Sequence, residues 1–110
     1  MATVPDRGDI ILLSLDPTMG HEQAGSRPAV VLSPALYNKA SSLCLVCPLT
    51  NQIKGYPFEV PVEGAKKTTG VVLADQVRSI DWRFRQVKIV DRIPLESLAP
   101  VIAKLKPLLL

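Results

Sequence analysis

Residues 20–28, GHEQAGSRP, gather the chain's only histidine, His21, with Glu22, Gln23, Ser26 and Arg27, and glycines at 20 and 25. Glu22 can serve as a proton acceptor. A guanidinium nearby, at Arg27, would keep that carboxylate ionised at neutral pH. Arg27 itself is a planar fork of donors matched to a phosphate, and it stays charged at any working pH. Together they could form a base beside an anion clamp, or only a surface ion pair in a wet loop. The glycines allow the backbone to turn there and to approach a ligand closely.

Cys44 and Cys47 form a C-x-x-C, the chain's only cysteines. No second pair exists, and one histidine cannot complete a four-ligand zinc site. In an extended strand, positions three apart face opposite sides, so two small core residues are expected. Neither a metal nor a cofactor is expected, and a metal-dependent hydrolase fails for lack of ligands.

Short strands must position these groups. Residues 9–15, DIILLSL, are almost continuously apolar, as a strand covered on both faces would be. Asp16-Pro17-Thr18 breaks the run and opens a loop to Pro28. Strands are then expected at 29–33 and 43–49, with one or two helical turns at 35–41 between them. A half-exposed strand follows at 57–62, where alternation carries a proline, then strands at 70–74 and 86–90. Val87 and Ile89 are expected to share one face of the last, with Lys88 on the other. Beyond Pro94, Leu95, Leu98, Val101, Ile102, Leu105, Leu108 and Leu109 recur at helical spacing. A turn at 95–98 and a main helix over 99–107 are expected, with Pro100 in its first turn. About six strands with short connections and a carboxy-terminal α-helix indicate a mainly β fold, a small antiparallel barrel. Crossover helices for a parallel sheet have no room.

At 110 residues and 47% hydrophobic, the chain suits one domain spanning 1–110 with a substantial core. The longest apolar runs fall short of a membrane span, and the start lacks a signal peptide's apolar region, so a cytoplasmic location is expected. The net charge of +3 equals the surplus of residues 78–92, where Arg78, Arg83, Arg85, Lys88 and Arg92 face only Asp81 and Asp91. A polyanion would favour such a surplus, though a solvated strand with snorkelling arginines has the same composition.

The loop lies within GDIILLSLDPTMGHEQAGSRPAVVLSPALYN, followed by CPLT, KGYPFEV, TTGVVLADQVRSID and the apolar carboxy terminus. In order and spacing this resembles the MazF/PemK/Kid family of toxin ribonucleases over essentially the whole chain. The resemblance implies an SH3-like barrel, a homodimer and metal-independent endoribonuclease cleavage of single-stranded RNA, including mRNA, with inhibition of growth. It also implies neutralisation by an antitoxin whose acidic tail occupies the RNA groove, any DNA contact arising only through the antitoxin complex.

Under that resemblance the expected catalytic set is Glu22, Arg27, Thr50 and His21. Glu22 would take the 2′-hydroxyl proton, help typically worth about 10²- to 10⁴-fold. A histidine pair is excluded by counting. Family members discuss an arginine at this position as general acid; a guanidinium is a reluctant acid at pH 7, which favours a phosphate clamp for Arg27. His21 could bond a phosphate, orient Glu22 or protonate the leaving oxygen, or be a plain surface side chain. Thr50 could bind the phosphate or serve the turn. Asp75 and Gln76 match the family's second motif, whose aspartate is proposed as the base in Kid-like members, with an arginine two positions earlier. Here that position is Leu73, which shifts the expectation to Glu22 and Arg27. Expected RNA contacts are Gln23, Ser26, Lys54, Tyr56, Asp75, Gln76, Arg78, Arg83 and Arg85. Tyr56 is the first candidate for base stacking, Phe58 and Phe84 are expected in the core, and Trp82 fits either place. The competing class is a non-catalytic barrel that binds RNA or an acidic antitoxin-like peptide.

Overall fold

A computed structural model describes residues 3–14 and 26–110, with Ser14 and Ser26 given by their backbone alone. Residues 15–25 are outside this description, and with them the expectations for His21, Glu22 and Gln23, along with the side-chain expectation for Ser26.

Strands β1 (Asp9–Ser14), β2 (Ser26–Val31) and β3 (Leu43–Thr50) form the middle of the sheet, with helix α1 (Ala35–Ser41) between β2 and β3. Then come β4 (Glu59–Pro61), β5 (Val71–Leu73), β6 (Arg78–Asp81), β7 (Lys88–Arg92) and helix α2 (Leu95–Leu109). The seven strands make one antiparallel sheet in the order β4-β5-β3-β2-β1-β7, with β6 also on β3. The sheet is open and coils roughly into a barrel, so the mainly β expectation stands. β3 is long enough for two neighbours on one side: Leu43–Val46 pair with β6, and Leu49–Thr50 pair with β5.

The central strands read as unbroken apolar runs because both their faces are covered. One set, including Ile10, Val30, Cys47, Leu49, Val60 and Val72, packs under Leu98, Val101 and Leu105 of α2. The alternate set, Ile11, Leu13, Ala29, Val31, Cys44 and Val46, packs with Ile80 and Trp82. Cys44 and Cys47 thus enter different clusters, as a strand's period of two requires. Both thiols are free and buried. Burial pushes Cys44 up to about 11; burial, then the nearby Asp75 charge, pushes Cys47 up to about 12.

Four expectations need correction. A seventh strand, β6, was hidden in the basic run: only Ile80 and the following Trp82 are buried there, too few to show alternation. Helix α2 is continuous, with Pro100 and Pro107 both inside it. It begins at once because the amides of Ser97 and Leu98 bond to the Pro94 carbonyl. Pro100 is exposed, while Ser97, Leu98, Val101 and Leu105 stay buried, so packing holds the helix across the missing donor. The last strand is displaced: β7 runs Lys88–Arg92 rather than 86–90, with a bulge opposite Ile10/Ile11. Val87, just before it, packs with the Ile11 cluster and Ile89 pairs with Ile11, so the two share a face as expected, although Ile89 is partly exposed; Val90 packs with the other cluster. Phe84, expected in the core, is 84% exposed at the turn between β6 and β7.

Candidate groove

The register places one row of side chains on a single face: Leu13 opposite Arg27, Ile11 opposite Ala29, Ala29 opposite Pro48 and Val31 opposite Val46. At one end this face is solid core. At the other, where the chain leaves β1 at Ser14 and re-enters β2 at Ser26, apolar residues give way to Arg27. Strand period alone therefore puts Arg27 on the face of Ala29, and Thr50 on the face of Pro48.

Two concavities open there. One, of about 480 Å³, is lined by Leu13, Arg27, Pro28, Ala29, Val46, Pro48, Gln76, Val77 and Arg78. The other, of about 510 Å³, is lined by Thr50, Gln52, Lys54, Gly55, Tyr56, Pro57, Glu59, Leu73, Asp75 and Gln76. Gln76 belongs to both, so they form one groove with an arginine pair at one end and Lys54 with Tyr56 at the other. The exposed guanidiniums of Arg27 and Arg78 make no ion pair among the described residues, where the only salt bridge joins Arg92 to Asp9. Charged donors that these residues leave unpaired suit a phosphate backbone. Among the described residues, no three His, Cys, Asp or Glu side chains converge as metal ligands would.

Thr50 reconciles its two expected roles. Its Oγ1 accepts from the Gln52 amide at 3.1 Å, which is turn chemistry, and its hydroxyl proton remains free to donate. The backbone at Thr50 admits only glycine opposite it: Gly70 has φ +110°, and a Cβ there would strike the Thr50 carbonyl.

Tyr56 is 49% exposed and donates its hydroxyl to Oδ2 of Asp75 at 3.1 Å. That bond, then the Asp75 charge and slight burial, raises the Tyr56 pKa above its ordinary value. Oδ1 of Asp75 is buried without a hydrogen-bond partner among the described residues, so this carboxylate keeps acceptor capacity in the groove wall. Phe58 is half-buried, its ring centroid 5.9 Å from that of Tyr56 in a tilted arrangement. Leu73, where an arginine would suit a Kid-like mechanism, contributes an aliphatic wall.

The groove thus brings together Arg27, Thr50, Lys54, Tyr56, Asp75, Gln76 and Arg78 from the expected set. It does not include Arg83 or Arg85. Because β6 runs antiparallel to β3, pairing Arg78 with Val46 and Asp81 with Leu43, those arginines lie beyond the opposite end of the ladder. The four steps from Arg78 to Trp82 span about 13 Å at strand rise. There Arg83 stacks over Trp82, its Cζ 4.8 Å from the ring centroid. The basic run is therefore split rather than forming one patch.

Glu59 was missed from the sequence. Its two oxygens accept from the amides of Lys54 and Gly55, each at 3.0 Å. The only trace of this in the chain is a carboxylate four and five residues after two amides flanking a turn. As an outward residue of an alternating strand, Glu59 otherwise looks like plain solvation.

A family model described as the PemK-like, MazF-like toxin of type II toxin-antitoxin systems matches residues 6–109. The chain is 51% identical over 106 residues to the endoribonuclease toxin MazF of Escherichia coli K12, covering 96% of this chain and 95% of that one. It is 41% identical over 108 residues to the endoribonuclease PemK of Escherichia coli, covering 94% and 81%. Among solved structures, a MazE–MazF crystal structure from Deinococcus radiodurans is 48% identical with a TM-score of 0.90, covering 97% of this chain and 96% of that one.

Proposed function

The chain belongs to the PemK-like, MazF-like family of type II toxins, and from that premise we propose that it is an endoribonuclease that cleaves single-stranded RNA without a metal ion. The observation that carries this is the continuous groove in which Arg27, Arg78 and Thr50 offer phosphate donors while Lys54, Tyr56, Asp75 and Gln76 line its far half. The names of the relatives, both called endoribonucleases, support the reaction class.

In this scheme Glu22, five residues before Arg27 in the chain, removes the 2′-hydroxyl proton. The freed oxygen attacks the adjacent phosphorus, and the bond to the 5′-oxygen breaks. The leaving oxygen takes up a proton, so the products are a 2′,3′-cyclic phosphate and a 5′-hydroxyl. Arg27 and the Thr50 hydroxyl hold the phosphate and stabilise the charge that builds on it. One preorganised donor of this kind commonly contributes about 10²- to 10³-fold in rate. His21 can supply the leaving-group proton or bond the phosphate. Tyr56 offers a face for an unpaired base and Asp75 an acceptor for its edge. Gln23 and Ser26 complete the RNA contacts on the loop side.

The groove's cationic end also suits the acidic tail of an antitoxin, in keeping with the MazE–MazF complexes solved for a close structural relative. Leu95, Ile102, Leu108 and Leu109 leave an apolar strip exposed on α2, which supports a homodimer. DNA contact would come only through the antitoxin complex. No helix among the described residues is long and apolar enough to cross a membrane, which is compatible with action on cytoplasmic mRNA.

The test is incubation of purified protein with single-stranded RNA in excess EDTA. Fragments ending in 2′,3′-cyclic phosphate or 3′-phosphate are expected. Retained binding with no cleavage of any RNA would replace the enzyme with a non-catalytic barrel that binds RNA or acidic peptide.

A further inference from the structure

The connection from Thr50 to Glu59 carries two groove residues, Lys54 and Tyr56, yet almost nothing of it is buried. Residues 51–57 are all exposed, Ile53 among them. A stretch of that kind has little hydrophobic reason to hold one shape, and ordering it costs roughly 1–2 kcal/mol of backbone entropy per residue. Apart from the Gln52 amide on Thr50 Oγ1, its internal bonds converge on Glu59. Glu59 Oε2 accepts from the Lys54 amide and Oε1 from the Gly55 amide, while the Glu59 amide itself donates to the Tyr56 carbonyl at 3.0 Å. Gly55 sits at φ +77°, a backbone turn that points successive amides inward to the carboxylate. Among the described residues Glu59 makes no salt bridge, and both its oxygens serve amides rather than a cation. It is fixed in turn by β4, where it lies opposite Leu73, two residues before Asp75.

We propose that Glu59 is a positioning residue for the groove: its carboxylate folds the 51–58 connection around itself, which sets Tyr56 within reach of Asp75 and stands Lys54 on the groove wall. This rests on the ribonuclease function proposed above for its consequence in RNA binding, but not for its structural content. Without the carboxylate, the Lys54 and Gly55 amides turn to water, the connection opens, and the Tyr56–Asp75 bond is lost with it. Glu59 touches neither phosphate nor base in this scheme. It acts through Tyr56 and Lys54.

The experiment has two arms on the full chain. In a Tyr37→Phe background Tyr56 is the only tyrosine, so near-ultraviolet absorbance reads its ionisation directly. The charged groups lining the cleft beside it are Asp75, Glu59 and Lys54. Asp75→Asn, the control, should return Tyr56 to an ordinary tyrosine pKa of about 10. Glu59→Ala should move it in the same direction although Asp75 is intact, and Glu59→Gln, which keeps one amide acceptor, should fall between. An unchanged Tyr56 titration in Glu59→Ala overturns the proposal.

The second arm measures single-stranded RNA. Glu59→Ala should weaken binding about 10-fold, while the rate at saturating RNA stays within about threefold. In combination with Tyr56→Ala it should add little, because neighbours acting as one unit are not additive. Fully additive losses, or a collapse of the saturating rate with binding intact, would each refute a positioning role. If the parent protein neither binds nor cleaves RNA, the ribonuclease function fails while the tyrosine titration still decides the part played by Glu59.

Discussion

The two ends of β3 lie on one continuous sheet face and have opposite chemistry. At the Leu43 end the buried polar side chains among the described residues find partners within the chain. Asn38, whose side chain is fully buried, donates to the carbonyls of Pro5 and Ser33 and accepts from the Ser33 hydroxyl; its own carbonyl receives the Trp82 indole at 2.9 Å. Asp81 accepts from the Phe84 amide and the Ser42 hydroxyl, bonds that hold its pKa below the usual carboxylate value. At the Thr50 end the same face runs out into Arg27, Arg78 and Gln76, all exposed. One end spends its hydrogen bonds on the fold and the other leaves them for a ligand. Stability and activity should therefore separate along a single strand.

The largest effect should come from the closed end. Trp82→Ala removes a nearly fully buried ring and one of the two donors on the Asn38 carbonyl, which keeps the Ser42 amide. Denaturant unfolding should show a loss of about 3–5 kcal/mol. RNA affinity of the fraction that remains folded should stay near that of the parent, and a selective loss of affinity would blur the division. Next comes the open end. Arg27→Lys keeps the charge but not the fork, and cleavage should fall about 10²- to 10³-fold. Arg27 is exposed, so its unfolding free energy should move by no more than about 0.5 kcal/mol. Near-normal rates in that variant would remove fork geometry from the account.

Thr50→Val should have an intermediate effect. A hydrogen bond to a charged group contributes about 1.5–3 kcal/mol, so a fall of roughly 10- to 140-fold is expected in cleavage. Some loss of stability should accompany it, because Oγ1 also receives the Gln52 amide. The smallest effect belongs to neither end. Burial alone would raise the Asp91 pKa, but hydrogen bonds from the Lys67 and Arg92 amides and from Thr68 outweigh it and bring it to about 2. A depressed folded pKa stabilises above the unfolded value of about 3.9 and loses that contribution as pH falls toward 2. Asp91→Asn should flatten the acid limb of stability between about pH 4 and 2, modestly, since the group is partly solvated. An acid limb of unchanged slope would remove the depressed Asp91 pKa.

The strands that build this division were legible wherever hydrophobicity decides their place. The unbroken run of β1 announced coverage on both faces, and the C-x-x-C spacing sent Cys44 and Cys47 to different clusters. β6 was not legible, since a four-residue strand bearing one buried side chain has no measurable period. Phe84 went astray because composition says what a residue prefers, whereas a tight turn anchored by Asp81 decides where it points. At the site, residue types pointed to Arg27 and Tyr56 and the family resemblance to Thr50, Asp75 and Gln76, and strand pairing brings them to one groove. The same pairing removes Arg83 and Arg85 from it, because register is a long-range property that local charge does not encode. Glu59 needed coordinates for the same reason: an amide cap depends on the path of the loop.

The most direct test follows the attacking oxygen. Once the cleaved position in a single-stranded RNA is mapped, an otherwise identical strand with a 2′-deoxy nucleotide at that position should bind in the groove with little change and remain uncut. Cleavage of the deoxy strand at the same phosphate would contradict attack by the 2′-hydroxyl, and with it the assignment of this groove as a base and phosphate clamp.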